Sequence, residues 1–89
     1  MAVVEFTANL SRHIDADRLT VDGRTVRELL DNVFAERAQL KGYILDDQGS
    51  LRKHVNIFVD NHMIADRTGL TDVVTNDSAV FVMQALSGG

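Results

Sequence analysis

The chain opens with a segment in which apolar and polar residues alternate, the period of a strand with one buried face. This predicted strand runs from Val3 to Leu10. The alternation returns at Leu19 and Val21, and the Asp22-Gly23 pair that follows is typical of a turn. We therefore predict a hairpin of two strands.

The period changes between Thr25 and Arg37, where apolar residues recur at the spacing of one face of a helix. Thr25 is followed three residues later by Glu28, which fits a capping box in which each side chain satisfies the other residue's free backbone N–H. The pattern predicts an amphipathic helix with one buried stripe. The stripe consists of Val26, Leu29, Leu30 and Val33.

Residues 38–53 connect this helix to the next regular segment. Gly42, Asp46-Asp47 and Gly49 interrupt any long period there. We expect an irregular connection with a short strand from Tyr43 to Leu45.

Residues 54–65 alternate again and predict a second hairpin, with Asp60-Asn61 as its tight turn. Residues 68–77 are predicted to form a loop or a short helical turn that directs Leu70 and Val73 inward. One face of the hairpin's first strand carries Val55, Ile57 and Val59, and the other carries Asn56 and Phe58.

The last predicted strand, residues 78–86, leads directly into a terminal glycine pair. The order of elements favours an α+β fold, a mixed sheet of four or five strands with one main helix on one face. In that arrangement the first and last strands are parallel neighbours, and the tail projects from the sheet. Two readings of Gly88-Gly89 remain open, a frayed end or a tail that is used.

Composition limits the class of protein. The chain has 89 residues, which suits a single domain, residues 1–89, and its 45% hydrophobic and 25% charged residues are close to the globular average. Its net charge of −4 and pI near 5.1, with no basic run longer than Arg52-Lys53, argue against nucleic-acid binding and favour a basic partner surface.

The chain contains no cysteine, which removes disulfides, thiolate nucleophiles and sulfur-ligated metals. No apolar run approaches the roughly 20 residues of a membrane helix, and no basic segment precedes an apolar one at the start, so we expect a cytoplasmic protein without membrane contact. His13, His54 and His62 have no ligand spacing, and we expect no metal site.

Three stretches resemble a known family: "VNIFVDN" at 55–61, "TGLTDVVTNDSAVFV" at 68–82, and the terminal "SGG". Together with the order of elements, they resemble the MoaD/ThiS ubiquitin-like sulfur carriers, which have the β-grasp fold. The extended connection after the helix resembles the branch that includes the carrier for cysteine synthesis. The chain departs from many relatives at Met83-Gln84, where they have a proline, and at Ser78-Ala79, where they often have an acidic residue.

The resemblance implies a chemistry for Gly89. A terminal carboxyl has a pKa of roughly 3.3–3.7, so it is ionised at neutral pH and must be activated. An adenylating enzyme of the ubiquitin-activating type would join it to AMP, and sulfur would displace AMP to leave a thiocarboxylate for a sulfur-accepting biosynthetic enzyme. Ser87 and Gly88 would belong to a flexible tail, residues 86–89, narrow enough to enter the partner's pocket.

The resemblance also implies that the chain is a carried substrate and not an enzyme. It would bind no cofactor itself, and ATP would bind to the partner. If Val80 and Val82 face the core, alternation turns Phe81 and Met83 to the other side of the sheet. The alternative is that the connection between helix and hairpin covers these side chains. The expected docking patch consists of Phe58, Phe81, Met83 and Leu86.

Three alternatives share part of this evidence. The chain could be a protein modifier conjugated through Gly89 to lysines, the small subunit of a molybdopterin synthase, or an interaction module whose tail is idle. The same tail chemistry serves cysteine, molybdopterin, thiazole, methionine and tRNA thiolation pathways, so the sequence leaves the acceptor, the sulfur donor and the oligomeric state open.

Overall fold

The computed structural model describes residues 1–7 and 18–84, and in that part of the chain five strands form one mixed sheet. Their order across the sheet is β2-β1-β5-β3-β4. The strands are β1 (Ala2–Phe6), β2 (Arg18–Val21), β3 (Val55–Val59), β4 (His62–Met63) and β5 (Ala79–Gln84).

The first and last strands are parallel neighbours, as the sequence predicts, with Val4 opposite Val80. β1 also pairs with β2 in the predicted antiparallel hairpin, and β3 pairs antiparallel with both β4 and β5. The predicted extension of the first strand from residue 8 to Leu10 lies outside the described residues.

The main helix, α1, spans Val26–Glu36 and buries the whole predicted stripe together with Phe34. The Thr25 hydroxyl oxygen accepts a hydrogen bond from the Glu28 backbone N–H at 3.2 Å. The Glu28 carboxylate accepts one from the Arg24 backbone N–H at 3.1 Å. The bond to the Thr25 hydroxyl confirms half of the predicted capping box. The other half differs, because the Glu28 carboxylate bonds to the N–H of Arg24 and not to that of Thr25.

The connection after α1 contains a 3₁₀ turn at Ala38–Leu40 and a short helix, α2, at Lys41–Ile44. The predicted strand from Tyr43 to Leu45 is therefore wrong. Leu40 and Ile44 are both fully buried and lie four residues apart, so one helical turn directs both into the core. Within the range from Tyr43 to Leu45, only Leu45 makes a strand-like contact, an isolated bridge to Leu51.

The second hairpin has the predicted two-residue turn. Asp60 and Asn61 have φ values of 50° and 69°, the left-handed geometry that a type I′ turn requires and that Asn and Asp tolerate. The Asp60 carboxylate accepts hydrogen bonds from the Ser78 hydroxyl at 3.2 Å and the Ala79 backbone N–H at 2.9 Å. The turn is thereby bonded to the start of β5.

Residues 68–77 contain no helix, and their inward residues differ from the prediction. Leu70 is fully buried as expected, but Val73 is 73% exposed and Val74 is buried instead. Val73 forms an isolated antiparallel bridge with Thr25. Side chains alternate across such extended backbone, so the neighbour, Val74, takes the inward position.

The core lies between α1 and one face of the sheet. Alternate residues of β1, β3 and β5 face it, as does the connection after α1. Within the described residues, no helix has the length and apolar character needed to span a membrane. The fully buried large side chains include Val4, Leu29, Leu30, Leu40, Ile44, Val55, Ile57, Leu70 and Val80.

Candidate functional site

The strand that leads to the C-terminal residues is bonded on both sides up to its last residue. β5 lies between β1 and β3, and Gln84 stands opposite Val55. The Gln84 backbone N–H also donates to the Thr7 hydroxyl oxygen at 3.3 Å, and the Thr7 N–H donates to the Val82 carbonyl oxygen at 3.2 Å. The sheet therefore fixes where the chain enters residues 85–89, which lie outside the described residues.

An aromatic pair lies on the sheet face opposite α1. Val80 and Val82 point into the core, so Phe81 points away from it and remains 37% exposed. Phe81 stands directly opposite Phe58 of β3. The residue opposite Phe58 on its other side is Met63, which is 55% exposed.

Met83 extends this surface along β5 toward the C-terminus. It is half-buried, lies on the same face as Phe81 and stands opposite Asn56. We call Phe58, Met63, Phe81 and Met83 the open-face patch. The predicted patch residue Leu86 lies outside the described residues, as do Ser87, Gly88 and Gly89.

The open-face patch is bounded by charge on the β1 side. Glu5 is the residue opposite Phe81 on β1, and it pairs in turn with Arg18 on β2. The Arg18 guanidinium and the Glu5 carboxylate lie 3.8 Å apart, with both side chains about half exposed or more. A pair in that position contributes little to stability, so it acts mainly as a polar rim.

The connection after α1 does not cover the patch. Leu40, Ile44, Leu45 and Leu51 all belong to the core that α1 shares with the sheet. The connection thus packs on the helix side, and the open face keeps Phe81 exposed. Of the two arrangements that the sequence leaves open, the structure has the uncovered one.

Arg67 fastens the start of β3 opposite the end of β5. Its guanidinium donates hydrogen bonds to the backbone oxygens of Arg52 and Val55 at 2.7 and 2.8 Å. A third bond, at 2.9 Å, goes to the side-chain oxygen of Asn56 on the open face. These bonds fix β3 where it pairs with Gln84, so they also position the exit of β5.

Asp66 organises the loop that carries the "TGL" motif. Its carboxylate accepts bonds from the Thr71 hydroxyl at 2.6 Å and from the backbone N–H groups of Gly69 and Thr68 at 2.8 and 3.2 Å. The Thr71 hydroxyl first, and then these N–H groups, lower the pKa of Asp66 to about 2. A Cβ on Gly69 would lie 2.8 Å from the Asp66 carboxylate, so a side chain there would displace the carboxylate from this position.

Arg27 joins α1 to two loops. Its Nε donates to the Gly69 carbonyl oxygen at 3.2 Å, and one terminal nitrogen donates to the carbonyl oxygens of Gly49 and Thr68 at 2.9 and 3.2 Å. The planar guanidinium suits such divergent acceptors better than a lysine ammonium does. Arg27 is therefore part of the framework behind the loop and not a ligand site.

Sequence reasoning missed both arginines because their partners are distant along the chain. The Asp66 turn carried a local signal, an aspartate three residues before a glycine, which is typical of a side-chain-capped turn. His54 is half-buried and His62 exposed, while His13 lies outside the described residues. In residues 1–7 and 18–84, no three His, Asp or Glu side chains converge as metal ligands would.

No protein-family model matches the chain, and no curated protein sequence matches it. Solved structures do. A chain of the Amycolatopsis orientalis BexX/CysO complex is 22% identical, with 100% of each chain covered and a TM-score of 0.88. CysO of Mycobacterium tuberculosis is 19% identical over 97% of this chain and 100% of that one, with a TM-score of 0.85.

SAMP1 of Haloferax volcanii, a small archaeal modifier protein, is 23% identical over 99% of this chain and 98% of that one, with a TM-score of 0.81. These similarities extend over nearly the full length of each chain. They confirm the predicted β-grasp fold, a mixed sheet with the main helix on one face.

Proposed function

We propose that this chain is a sulfur carrier that acts through a thiocarboxylate on Gly89. The observation that carries the proposal is the position of β5. This central strand pairs with β1 up to Val82 and with β3 up to Gln84, and the chain then continues to "SGG". The strand carries the exposed Phe81 opposite the half-buried Phe58. A carried tail needs a strand that holds its starting point in place, an apolar surface on which a partner docks, and a C-terminal end without bulky side chains.

The chemistry begins with an unreactive group. In the proposal, the ionised Gly89 carboxylate attacks the α-phosphorus of ATP on an adenylating partner, and pyrophosphate leaves. A sulfide equivalent then attacks the carbonyl carbon of the acyl-adenylate, and AMP leaves. The product is a thiocarboxylate, which donates sulfur to a biosynthetic enzyme. The carrier has no cysteine, so the sulfur comes from another molecule.

The length of the tail sets how far the reactive group reaches. Five residues follow Gln84, so covalent geometry allows the Gly89 carboxyl to lie at most about 17 Å from the end of β5. A partner that docks on the open-face patch can therefore hold its ATP site within that distance. In the proposal Phe58, Phe81, Met83 and Leu86 provide the docking contacts, and Ser87 and Gly88 enter the active site.

The similarity to two CysO structures favours an acceptor in cysteine synthesis among the possible pathways. The BexX/CysO complex further supports a role in which a chain of this fold assembles with a partner protein. The extended connection after α1, which contains the 3₁₀ turn and α2, agrees with the same branch.

The similarity to SAMP1 favours a second candidate, a protein modifier. The activated Gly89 carbonyl would then be attacked by a lysine amine instead of by sulfur. The two candidates share the adenylation step and differ in the nucleophile. Isopeptide-linked adducts that disappear when Gly89 is deleted would support the modifier.

Reconstitution tests the proposal directly. The chain is incubated with an adenylating enzyme from the same cell, ATP and sulfide, and AMP release and thiocarboxylate are measured. We expect no reaction after deletion of Gly89 or addition of one residue after it, and slower sulfur transfer with Gly89→Ala. Unchanged sulfur transfer by the extended chain, with the extra residue still attached, would contradict the mechanism.

A further inference from the structure

A groove runs between β2 and α1, on a different part of the molecule from the open-face patch. Its volume is about 320 Å³, at the lower end of the range for binding pockets. None of its residues belongs to the patch or to β5. The lining residues are Met1, Thr20, Val21, Asp22, Asn32, Ala35 and Glu36.

One wall of the groove is the edge of the sheet. β2 is the outermost strand and pairs only with β1 among the described strands. In an antiparallel pair, alternate residues direct their N–H and C=O groups away from the partner strand. The outer edge of β2 therefore offers backbone donors and acceptors to an added strand.

The charged side chains of the groove are both acidic. Asp22 and Glu36 are exposed, and neither carboxylate is in an ion pair within the described part of the chain. Arg37 follows Glu36, but its guanidinium donates to the Glu36 backbone oxygen, at 3.1 Å. Asn32 donates to the Asp22 backbone oxygen at 2.7 Å and fixes the loop at the groove's end.

We propose that this groove binds an extended segment of a partner protein, with basic side chains at alternate positions, as a sixth strand beside β2. Alternation along an added strand would send every second side chain to the helix side of the sheet. A lysine or arginine there lays its aliphatic stem along Ala35 and brings its charge to Asp22 or Glu36. The groove's proposed ligand is thus a basic peptide segment.

The site is independent of the proposed sulfur chemistry, because it uses neither Gly89 nor the open-face patch. A carrier with this groove could hold a partner while its tail is engaged elsewhere. Loss of sulfur transfer and loss of groove binding are therefore separate results.

Nuclear magnetic resonance titration of the isotope-labelled full chain tests the groove. The probe is a short capped peptide that alternates valine with lysine. Two controls carry glutamate in place of lysine, or N-methyl groups that block strand pairing. We expect the lysine peptide to slow hydrogen exchange in β2 and to shift the groove's resonances. The expected shifts are at Thr20, Val21, Asp22, Asn32 and Glu36.

Charge-removing variants separate recognition from incidental contact. We expect the double variant Asp22→Asn, Glu36→Gln to bind the lysine peptide about three- to tenfold more weakly than the wild type at low salt. The matched control Asp47→Asn, Asp77→Asn removes the same charge at exposed positions outside the groove and should bind as the wild type does. Spectra of both variants verify that they fold.

Three results would overturn the proposal: no shift in the groove at any peptide concentration, equal binding of the glutamate peptide, or equal binding of the N-methylated peptide. Shifts confined to the open-face patch would also overturn it, since they would assign peptide binding to the other surface.

Discussion

Phe58 and Phe81 are direct cross-strand neighbours on the sheet face that α1 leaves open. Directly opposed aromatic side chains contribute packing energy across a sheet, yet Phe81 keeps 37% of its surface exposed. A partly exposed aromatic pair, with one member on the strand that leads to the tail, is a suitable anchor for a partner.

We therefore expect Phe81→Ala to weaken the complex with the proposed adenylating partner by about 1–2 kcal/mol, or five- to thirtyfold. The variant should remain folded, because its fully buried neighbours Val80 and Val82 are unchanged. Val73→Ala is the matched control, since Val73 is an exposed apolar residue outside the patch. Equal partner affinity for both variants would assign docking to another surface.

Arg27→Lys tests the framework behind the "TGL" loop. Lysine cannot reach the carbonyl oxygens of Gly69, Gly49 and Thr68 together, so at least one of them loses its donor, and the first two bonds are part-buried. We expect the free energy of unfolding to fall by about 1–2 kcal/mol in urea titrations. Arg24→Lys, at an exposed position before the helix, should leave it unchanged. Equal urea midpoints for Arg27→Lys and Arg24→Lys would contradict this role of Arg27.

Alanine substitutions at two glycines should have opposite effects on the stability of the fold. A Cβ on Gly23 would lie 2.6 Å from the Leu29 backbone nitrogen, so Gly23→Ala should destabilise the fold by about 1–3 kcal/mol. Gly42 lies in α2 with no atom within 4 Å of an added Cβ, so Gly42→Ala should stabilise by about 0.5–1 kcal/mol. Thermal unfolding measures both, and a stabilised Gly23→Ala would contradict the close packing of helix and turn.

Asp66 should make the stability of the fold depend on pH. The hydrogen bonds from Thr71 and the loop N–H groups lower its pKa in the folded state from 3.8 to about 2. The carboxylate therefore stabilises the fold above the unfolded pKa, and that contribution is lost as the pH falls from 3.8 to about 2.

We expect the melting temperature of Asp66→Asn to lie below that of the wild type at neutral pH and to approach it near pH 2. Asp47→Asn, at an exposed turn position, serves as the control and should show no such convergence. A constant gap between Asp66→Asn and the wild type from neutral pH to about pH 2 would show that the charge on Asp66 is unimportant.

Periodic segments could be predicted from the sequence and the irregular ones could not. The stripe from Val26 to Val33 predicted α1, and the alternation in β3 and β5 predicted that Phe58 and Phe81 share one face. α2 is a single helical turn, too short to produce a period. The inward choice between Val73 and Val74 depends on a bridge to Thr25, a contact that no local pattern encodes.

The candidate site likewise contains residues that the sequence pattern predicts and residues that it does not. Phe58, Phe81 and Met83 followed from strand alternation. Arg67 and Arg27, in contrast, act through backbone carbonyls that lie 12 or more residues away. Such contacts depend on the completed fold. Met63 joined the patch only because the register of the second hairpin places it opposite Phe58.

The central claim is that Gly89 carries sulfur, and intact mass spectrometry of the chain purified from its native cell tests it most directly. Our account predicts a species heavier by about 16 Da, the replacement of one carboxyl oxygen by sulfur, confined to the C-terminal peptide and absent when Gly89 is deleted. Only the unmodified mass, even with an adenylating enzyme, ATP and a sulfur donor supplied, would contradict it.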